Sequence, residues 1–166
     1  MEDQQLFFED LELGRERELG SFSISKEDIV SFATEYDPQP YHVDEDAAED
    51  SPFGGLVASG WHTLCLSTRV CVDGFRGSVS TMGGVGVDNL AWRTPARPGD
   101  TLTVNHEVID KRVTESDPSR GLMRESVTVS NQRGETVLTY EVIGLVERKQ
   151  RADVTSQSGQ HSYGGQ

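Results

Sequence analysis

Apolar positions recur with a helical period between about residues 25 and 75 and with a two-residue period after that. Residues 1–24 hold only short extended pieces, in which Gly14 and Gly20 are the expected turns. Helical spacing begins after Ser25, a residue type that caps helices. Pro38 disfavours helical dihedral angles at the preceding residue, so the first helix should end there.

The segment 56–75, LVASGWHTLCLSTRVCVDGF, is the most apolar helical candidate. Ser59 can cap this helix, Gly60 can open it and Gly74 is a natural stop. Because apolar residues occupy nearly all of its sides, the pattern predicts a helix buried around its whole girth. The acidic segment 44–50, DEDAAED, predicts a short exposed helix before it.

The second half of the chain is typical of a β-sheet. Its strand-like segments are rich in Val, Thr and Leu and lie at 84–94, 100–114, 121–131 and 135–148. Turn residues separate them, so neighbouring strands should run antiparallel. We therefore predict an α+β domain over residues 1–148, with one antiparallel sheet wrapped around the apolar helix. Residues 149–166 are polar and rich in Gly, Ser and Gln, which predicts a disordered tail.

The chain is strongly acidic. It carries 28 Asp and Glu against 15 Lys and Arg, for a net charge of -13. Such a surface repels nucleic acid and anionic membrane, so neither is an expected partner. Only 3 of the 15 basic residues are lysines, a composition that resembles halophilic proteins. At molar salt the Debye length falls to about 3 Å, which screens the repulsion between like charges.

Membrane and export signals are missing from the sequence. No apolar run approaches the roughly 20 residues that span a bilayer. The first residues, MEDQQLFFED, are acidic and lack the order of a signal peptide, so we expect a cytoplasmic protein. Cys65 and Cys71 share the predicted central helix, where six residues rise about 9 Å. That separation is too large for a disulfide, and we expect two buried, reduced thiols.

The stretch YDPQPYH places Asp37 and His42 five residues apart, with two prolines between them. It is either a turn that ends a helix or a stiffened segment that holds two reacting side chains. Histidine exchanges protons near neutral pH, and a nearby carboxylate could hold the same water molecule. The neighbouring HVDED lacks zinc-ligand spacing and the glycine of a calcium loop, so no metal site is expected.

A second position links this stretch to a known family. Asp37, Pro40 and His42 are in register with the motif Asp-x-Asn-Pro-x-His, and Gly60 follows 18 residues after His42. Over roughly residues 6–148 the chain resembles the MaoC-like dehydratases, which include the (R)-specific enoyl-CoA hydratases and have the hot-dog fold. Gln39 replaces the Asn of the motif. Ser59 stands where a histidine is frequent.

The resemblance implies a hydro-lyase that reversibly hydrates a 2-enoyl-CoA to a (3R)-3-hydroxyacyl-CoA. Asp37 and His42 would bind and activate one water, and which of them is the base and which the acid stays open. The N–H of Gly60, at the start of a helix, would stabilise the enolate oxygen. Coenzyme A is expected only as part of the substrate, without a separate cofactor.

Further residues are predicted to contact the substrate. These candidates are Gln39, Ser59, Trp61, Arg93 and Arg97. The two arginines, with Arg76 behind them, could bind the phosphates of coenzyme A, although ordinary surface ion pairs explain them equally well. His62 and His106 are predicted to be packed, structural histidines. The family buries its sheet edges by pairing protomers, so we expect a homodimer or a larger homo-oligomer.

Two alternative functions remain open at this level. A hot-dog thioesterase would carry a catalytic carboxylate on the central helix, and residues 60–72 contain none. A non-catalytic acyl-CoA-binding module would bind the thioester without turning it over.

Overall fold

A computed structural model of the protein describes residues 5–149. Residues 150–166, most of the predicted tail, lie outside that range. The helices are α1 (Lys26–Tyr36), α2 (Pro40–Val43), α3 (Glu45–Glu49) and α4 (Gly60–Gly74), with short 3-10 turns at Phe8–Asp10 and Arg76–Ser78. The strands are β1 (Arg17–Ser23), β2 (Thr81–Trp92), β3 (Thr101–Val113), β4 (Arg120–Ser130) and β5 (Thr136–Glu147). No helix in the described part of the chain is long and apolar enough to cross a bilayer.

The predicted start and end of the first helix are confirmed. The Ser25 hydroxyl accepts the N–H of Asp28 at 3.1 Å, and the Asp28 carboxylate accepts the N–H of Ser25 at 3.3 Å. This capping box satisfies two amides that the helix itself leaves free. The short helix α3 is also confirmed, with Asp44 as its cap. Helix α2 was not predicted, because a single turn that opens with Pro40 looks like a turn in the sequence.

The five strands form one antiparallel sheet in the order β1-β3-β4-β5-β2, which confirms the predicted α+β class. Strands β1 and β2 are its edges. Gly14 lies in a turn as expected, with a φ of +74°. The turn expected at Gly20 is wrong, because this residue lies inside β1, where the pairing register shifts after Glu18. Its φ of +146° fits the irregularity that a β-bulge introduces.

The central helix α4 packs against the concave side of the sheet, but the sheet covers only part of it. Its buried residues are small or polar: His62, Thr63, Ser67 and Cys71. Trp61 and Val72, on the other side, are 53% and 41% exposed. The predicted burial of the whole girth is therefore wrong, as is the predicted burial of Cys65. Periodicity shows how many sides of a helix are apolar, but it does not show which of them another element covers.

A buried charge network joins the middle of β3 and β4 to the 3-10 turn after α4. Glu125 on β4 is fully buried, and its carboxylate accepts bonds from Arg76 Nε at 2.7 Å and His106 Nδ1 at 2.9 Å. Arg76 is therefore committed to a carboxylate, and the prediction that it stands behind Arg93 and Arg97 for phosphate binding is wrong. His106 points inward as predicted and packs on Phe75, with 4.3 Å between ring centres.

Candidate active site

Asp37 and His42 meet beside α1 and α2. Asp37 is the residue at which α1 ends, and His42 lies in the single turn of α2. His42 Nε2 and Asp37 Oδ2 are 3.5 Å apart, and 8% and 19% of the two side chains are exposed. This separation is longer than a good hydrogen bond and short enough for one water, about 2.8 Å from each atom, to bind both.

The backbone fixes the orientation of the His42 ring. Its Nδ1 lies 2.7 Å from the carbonyl oxygen of Val57, which can only accept a hydrogen bond. Nδ1 therefore carries a proton, and in the neutral ring Nε2 is the acceptor that faces Asp37. Tyr41 packs edge-on against the ring, with 4.5 Å between centres and an interplanar angle of 76°.

The Asp37 carboxylate receives a donor on each oxygen. Ser59 Oγ donates to Oδ2 at 2.7 Å, and Gln39 Nε2 donates to Oδ1 at 3.0 Å. The bond from Ser59 is the main reason that the pKa of Asp37 lies below its ordinary value. Partial burial opposes this shift, and Gln39 and His42 add to it. The two donors therefore stabilise the charged form of Asp37 and fix the orientation of its carboxylate.

Gly60 is the first residue of α4, so its N–H has no acceptor within the helix and lies at the positive end of the helix dipole. The residue also lines the cavity that Asp37 and His42 share. A Cβ built on Gly60 would lie 2.3 Å from Cε2 and Nε1 of Trp92. Only glycine fits while that indole keeps its position.

The cavity that joins these groups has a volume of about 450 Å³. Polar groups line one part, while the rest of the wall is apolar or aromatic and includes Tyr41, Phe53, Val57, Ala58, Ala96 and Val137. Ligand sites commonly have this size and combination of side chains. An acyl group could lie against the apolar wall while a thioester carbonyl faces the start of α4.

The structure places the predicted substrate-binding residues differently from one another. Gln39, Trp61 and Arg93 line the cavity, and Trp61 lies edge-on to Trp92 with 5.2 Å between ring centres. Ser59 is fully buried behind Asp37. Arg97 is not among the lining residues, and its Nη2 donates to the carbonyl of Phe53 at 2.6 Å. The roles of all five stay predictions.

Sequence reasoning missed two features of the site. The Val57 carbonyl selects the tautomer of His42, and no sequence pattern encodes a contact to a backbone carbonyl. Tyr41, whose hydroxyl donates to Gln39 Oε1, stands within the motif. Tyr41 could have been predicted as a site residue, because it is an aromatic residue with a hydroxyl group directly before the candidate histidine.

The arrangement is suited to adding water to a double bond. Asp37 Oδ2 and His42 Nε2 are two acceptors aimed at one space, and the amide of Gly60 is a donor at the edge of the same cavity. A water between the acceptors can lose one proton, while the donor stabilises negative charge that develops on a carbonyl oxygen.

The family model described as "MaoC like domain" matches residues 10–131. This chain belongs to the MaoC-like family. Its relatives include a protein named 3-hydroxybutyryl-CoA dehydratase from Methylorubrum extorquens, 35% identical over 150 residues, covering 89% of this chain and 88% of that protein. The uncharacterized protein YdeM of Bacillus subtilis is 33% identical over 129 residues, covering 77% of this chain and 89% of YdeM.

The crystal structure of a MaoC-like dehydratase from Rhodospirillum rubrum has a TM-score of 0.80 and 38% identity to this chain. The similarity covers 87% of this chain and 99% of that one. The expected hot-dog fold is confirmed, because a five-stranded antiparallel sheet packs against α4 and the chain matches RV0216 of Mycobacterium tuberculosis, which has a double hot-dog fold, with a TM-score of 0.71. That match is 16% identical and covers 89% of this chain and 46% of RV0216.

Proposed function

We propose that the protein is a hydro-lyase that reversibly hydrates a 2-enoyl-CoA to a (3R)-3-hydroxyacyl-CoA. The observation that carries this proposal is the placement of Asp37 Oδ2 and His42 Nε2, 3.5 Å apart, in one cavity with the first residue of α4. Membership of the MaoC-like family supports the class of reaction, and the resemblance to the (R)-specific hydratases implies the stereochemistry.

In the hydration direction, a water held between Asp37 and His42 adds to the β-carbon of the enoyl thioester. One of the two residues takes a proton from that water, and a proton from the pair is delivered to the α-carbon. The N–H of Gly60 stabilises the enolate oxygen between these events. Because Asp37 and His42 lie on the same side of the cavity, water adds to one face of the double bond.

Arg93 is the candidate to bind the phosphates of coenzyme A, because it is the one cationic residue among those that line the cavity in the described chain. Arg97 has a different position. Its bond to the Phe53 carbonyl fixes part of the aromatic wall, so it would act on the acyl subsite through Phe53.

The test is a spectroscopic assay that follows loss of the conjugated enoyl-thioester absorbance. Asp37→Asn and His42→Gln each remove one acceptor with little change of shape, and we expect each to lower kcat by about 100- to 10,000-fold. Asp73→Asn is the matched control, since this α4 carboxylate is exposed and paired with Arg69. Full activity in both site variants would contradict the proposal.

The same assay separates the two alternatives. A thioesterase would release free coenzyme A without hydrating the double bond. In α4, all of which the structure describes, Asp73 is the single carboxylate, and it lies at the exposed end next to Gly74. A binding module would retain the thioester with neither product. The 3.5 Å between Asp37 Oδ2 and His42 Nε2 favours a catalytic protein over a module that only binds the thioester.

We also propose that the protein is a homodimer that pairs through β2 and the uncovered side of α4. β2 is an edge strand, and its exposed apolar residues Met82, Val85 and Val87 are each more than half exposed. An edge strand of this kind invites pairing with a second strand. Trp61 and Val72 extend the apolar surface onto α4. The cytoplasmic location and the preference for high salt expected from the sequence remain predictions.

A further inference from the structure

Ser59 occupies the capping position of α4 but does not cap it. Its side chain accepts no bond from the first turn of the helix, although serine at this position usually does. The hydroxyl donates to Asp37 Oδ2 instead, at 2.7 Å. We propose that Ser59 is a positioning residue, which fixes the Asp37 oxygen that faces His42. The inference rests on the proposed function.

The burial of Ser59 makes its bond hard to replace. The residue has no exposed surface. A water molecule cannot take the place of its hydroxyl without opening the packing around the start of α4. The bond also involves a charged acceptor, and such bonds are shorter and stronger than neutral ones. Through this bond Asp37 Oδ2 is held by the residue that precedes Gly60. The distance between the carboxylate and the proposed oxyanion donor, the Gly60 N–H, is thereby fixed.

A second contact fixes the other carboxylate oxygen. Gln39 Nε2 donates to Asp37 Oδ1 at 3.0 Å. The Tyr41 hydroxyl donates to Gln39 Oε1, which leaves the nitrogen side of the amide to face Asp37. With Oδ1 and Oδ2 each bound from a different direction, the carboxylate cannot rotate about its terminal bond without losing both donors. Oδ2 can accept one further hydrogen bond, on the side that faces His42.

Other ionisable groups face the same cavity as Asp37. His42 from α2, Tyr41 from the same turn and Arg93 from the segment after β2 line the cavity with it. Gln39 and Ser59 are uncharged, so they favour the carboxylate without adding a group that titrates. Ser59 is the larger of the two influences on the pKa of Asp37.

The decisive variant is Ser59→Ala, which removes one hydroxyl from the chain. Ser80→Ala is the matched control, because Ser80 is also buried and its Oγ also donates to a carboxylate, that of Glu147, at 2.7 Å. We expect Ser59→Ala to lower kcat by about 10- to 100-fold with little change in KM, because the reacting geometry loosens while the substrate contacts remain. Ser80→Ala should keep the wild-type kcat.

A second readout does not need turnover. The chemical shift of the Asp37 carboxyl carbon can be followed against pH by NMR in isotopically labelled protein. Its signal is assigned by its loss in Asp37→Asn. Ser59→Ala should move its midpoint to higher pH, because the donor that favours the charged form is gone. If Ser59→Ala unfolds the protein, Gln39→Ala at an exposed site tests the same principle and should shift the midpoint in the same direction.

An unshifted Asp37 titration in folded Ser59→Ala, or in Gln39→Ala where Ser59→Ala does not fold, would overturn the inference. A kcat within about twofold of the wild type in folded Ser59→Ala would overturn it as well. Failure of the proposed function looks different. In that case the wild type would hydrate no enoyl-CoA, while the titration would still report whether Ser59 controls the carboxylate.

Discussion

Replacing Gly60 with alanine adds one methyl group where α4 begins. The added Cβ would lie 2.3 Å from two atoms of the Trp92 indole and 2.7 Å from a third. Contacts this short do not persist in folded proteins, so the indole must move or the start of the helix must shift. Trp92 is 46% exposed, which gives its ring room to move outward.

The expected magnitude follows from what the methyl group does to the amide beside it. A substituent on Gly60 occupies the cavity next to the N–H that would bind the thioester oxygen. Removing one donor of this kind costs about 100-fold or more in kcat, which corresponds to about 2.7 kcal/mol of transition-state stabilisation. Stability should change less, because alanine favours helix by about 1 kcal/mol relative to glycine and partly offsets the displaced indole.

A double-mutant cycle separates obstruction of the Gly60 N–H, which alanine retains, from the clash between the added methyl group and Trp92. Trp92→Ala removes the clash and, as a change in the cavity wall, should lower kcat/KM by less than about 10-fold. The double variant Gly60→Ala/Trp92→Ala should stay about 100-fold below Trp92→Ala. Initial rates of enoyl-CoA hydration give the four values, and circular dichroism checks that each variant is folded. If the double variant recovers the rate of Trp92→Ala, the clash with Trp92 explains the loss, whereas a wild-type kcat in folded Gly60→Ala would refute the oxyanion role of Gly60.

The remaining predictions concern stability and assembly. Glu125→Gln leaves Arg76 buried without a compensating charge and should lower the free energy of unfolding by about 3–5 kcal/mol in urea titrations; a loss under about 1 kcal/mol would contradict the network. Val85→Glu should give monomers in sedimentation experiments, whereas a monomeric wild type would refute the proposed dimer. Burial raises the pKa of Cys71 to about 11. Since an unfolded thiol ionises near pH 8.5, stability should fall as pH rises from about 8.5 to 11. Cys71→Ala should lose stability less steeply over that range, and equal slopes would contradict this. Melting temperature should rise between low and molar KCl, and a flat response would contradict the halophilic interpretation.

Local signals made much of the fold predictable. The cap at Ser25, the proline after Asp37 and the glycine that opens α4 each act on their immediate neighbours, so the helix ends follow from a few adjacent residues. The strands follow from alternation and turns in the same way. The single turn of α2 was missed because four residues are too few for a periodic pattern to show.

Long-range contacts account for what could not be predicted. Arg76 meets Glu125 across 49 positions of the chain, and nothing near either residue indicates the other. Which side of α4 the sheet covers depends on how β1, β3 and β5 pack against it. The sequence motif identified Asp37, His42 and Gly60 as candidate site residues. The 3.5 Å between Asp37 Oδ2 and His42 Nε2, and the contact of His42 with the Val57 carbonyl, depend on the folded structure and could not be predicted from the motif.

Besides Tyr36, which stands where the family usually has a glycine before Asp37, two departures from the family motif converge on one carboxylate. Gln39 and Ser59 replace residues that are usual in the family, and both donate to Asp37, one to each oxygen. Both also adjoin the other site residues through the backbone: the His42 N–H donates to the Gln39 carbonyl at 2.9 Å, and Ser59 directly precedes Gly60. Gln39 can reach back to Asp37 because prolines on both of its sides fix the backbone, and the Tyr41 hydroxyl holds its amide in the donating orientation. The substitutions therefore alter how the carboxylate is held. Its acid–base behaviour is thus the property by which we expect this chain to differ from relatives that keep the usual motif.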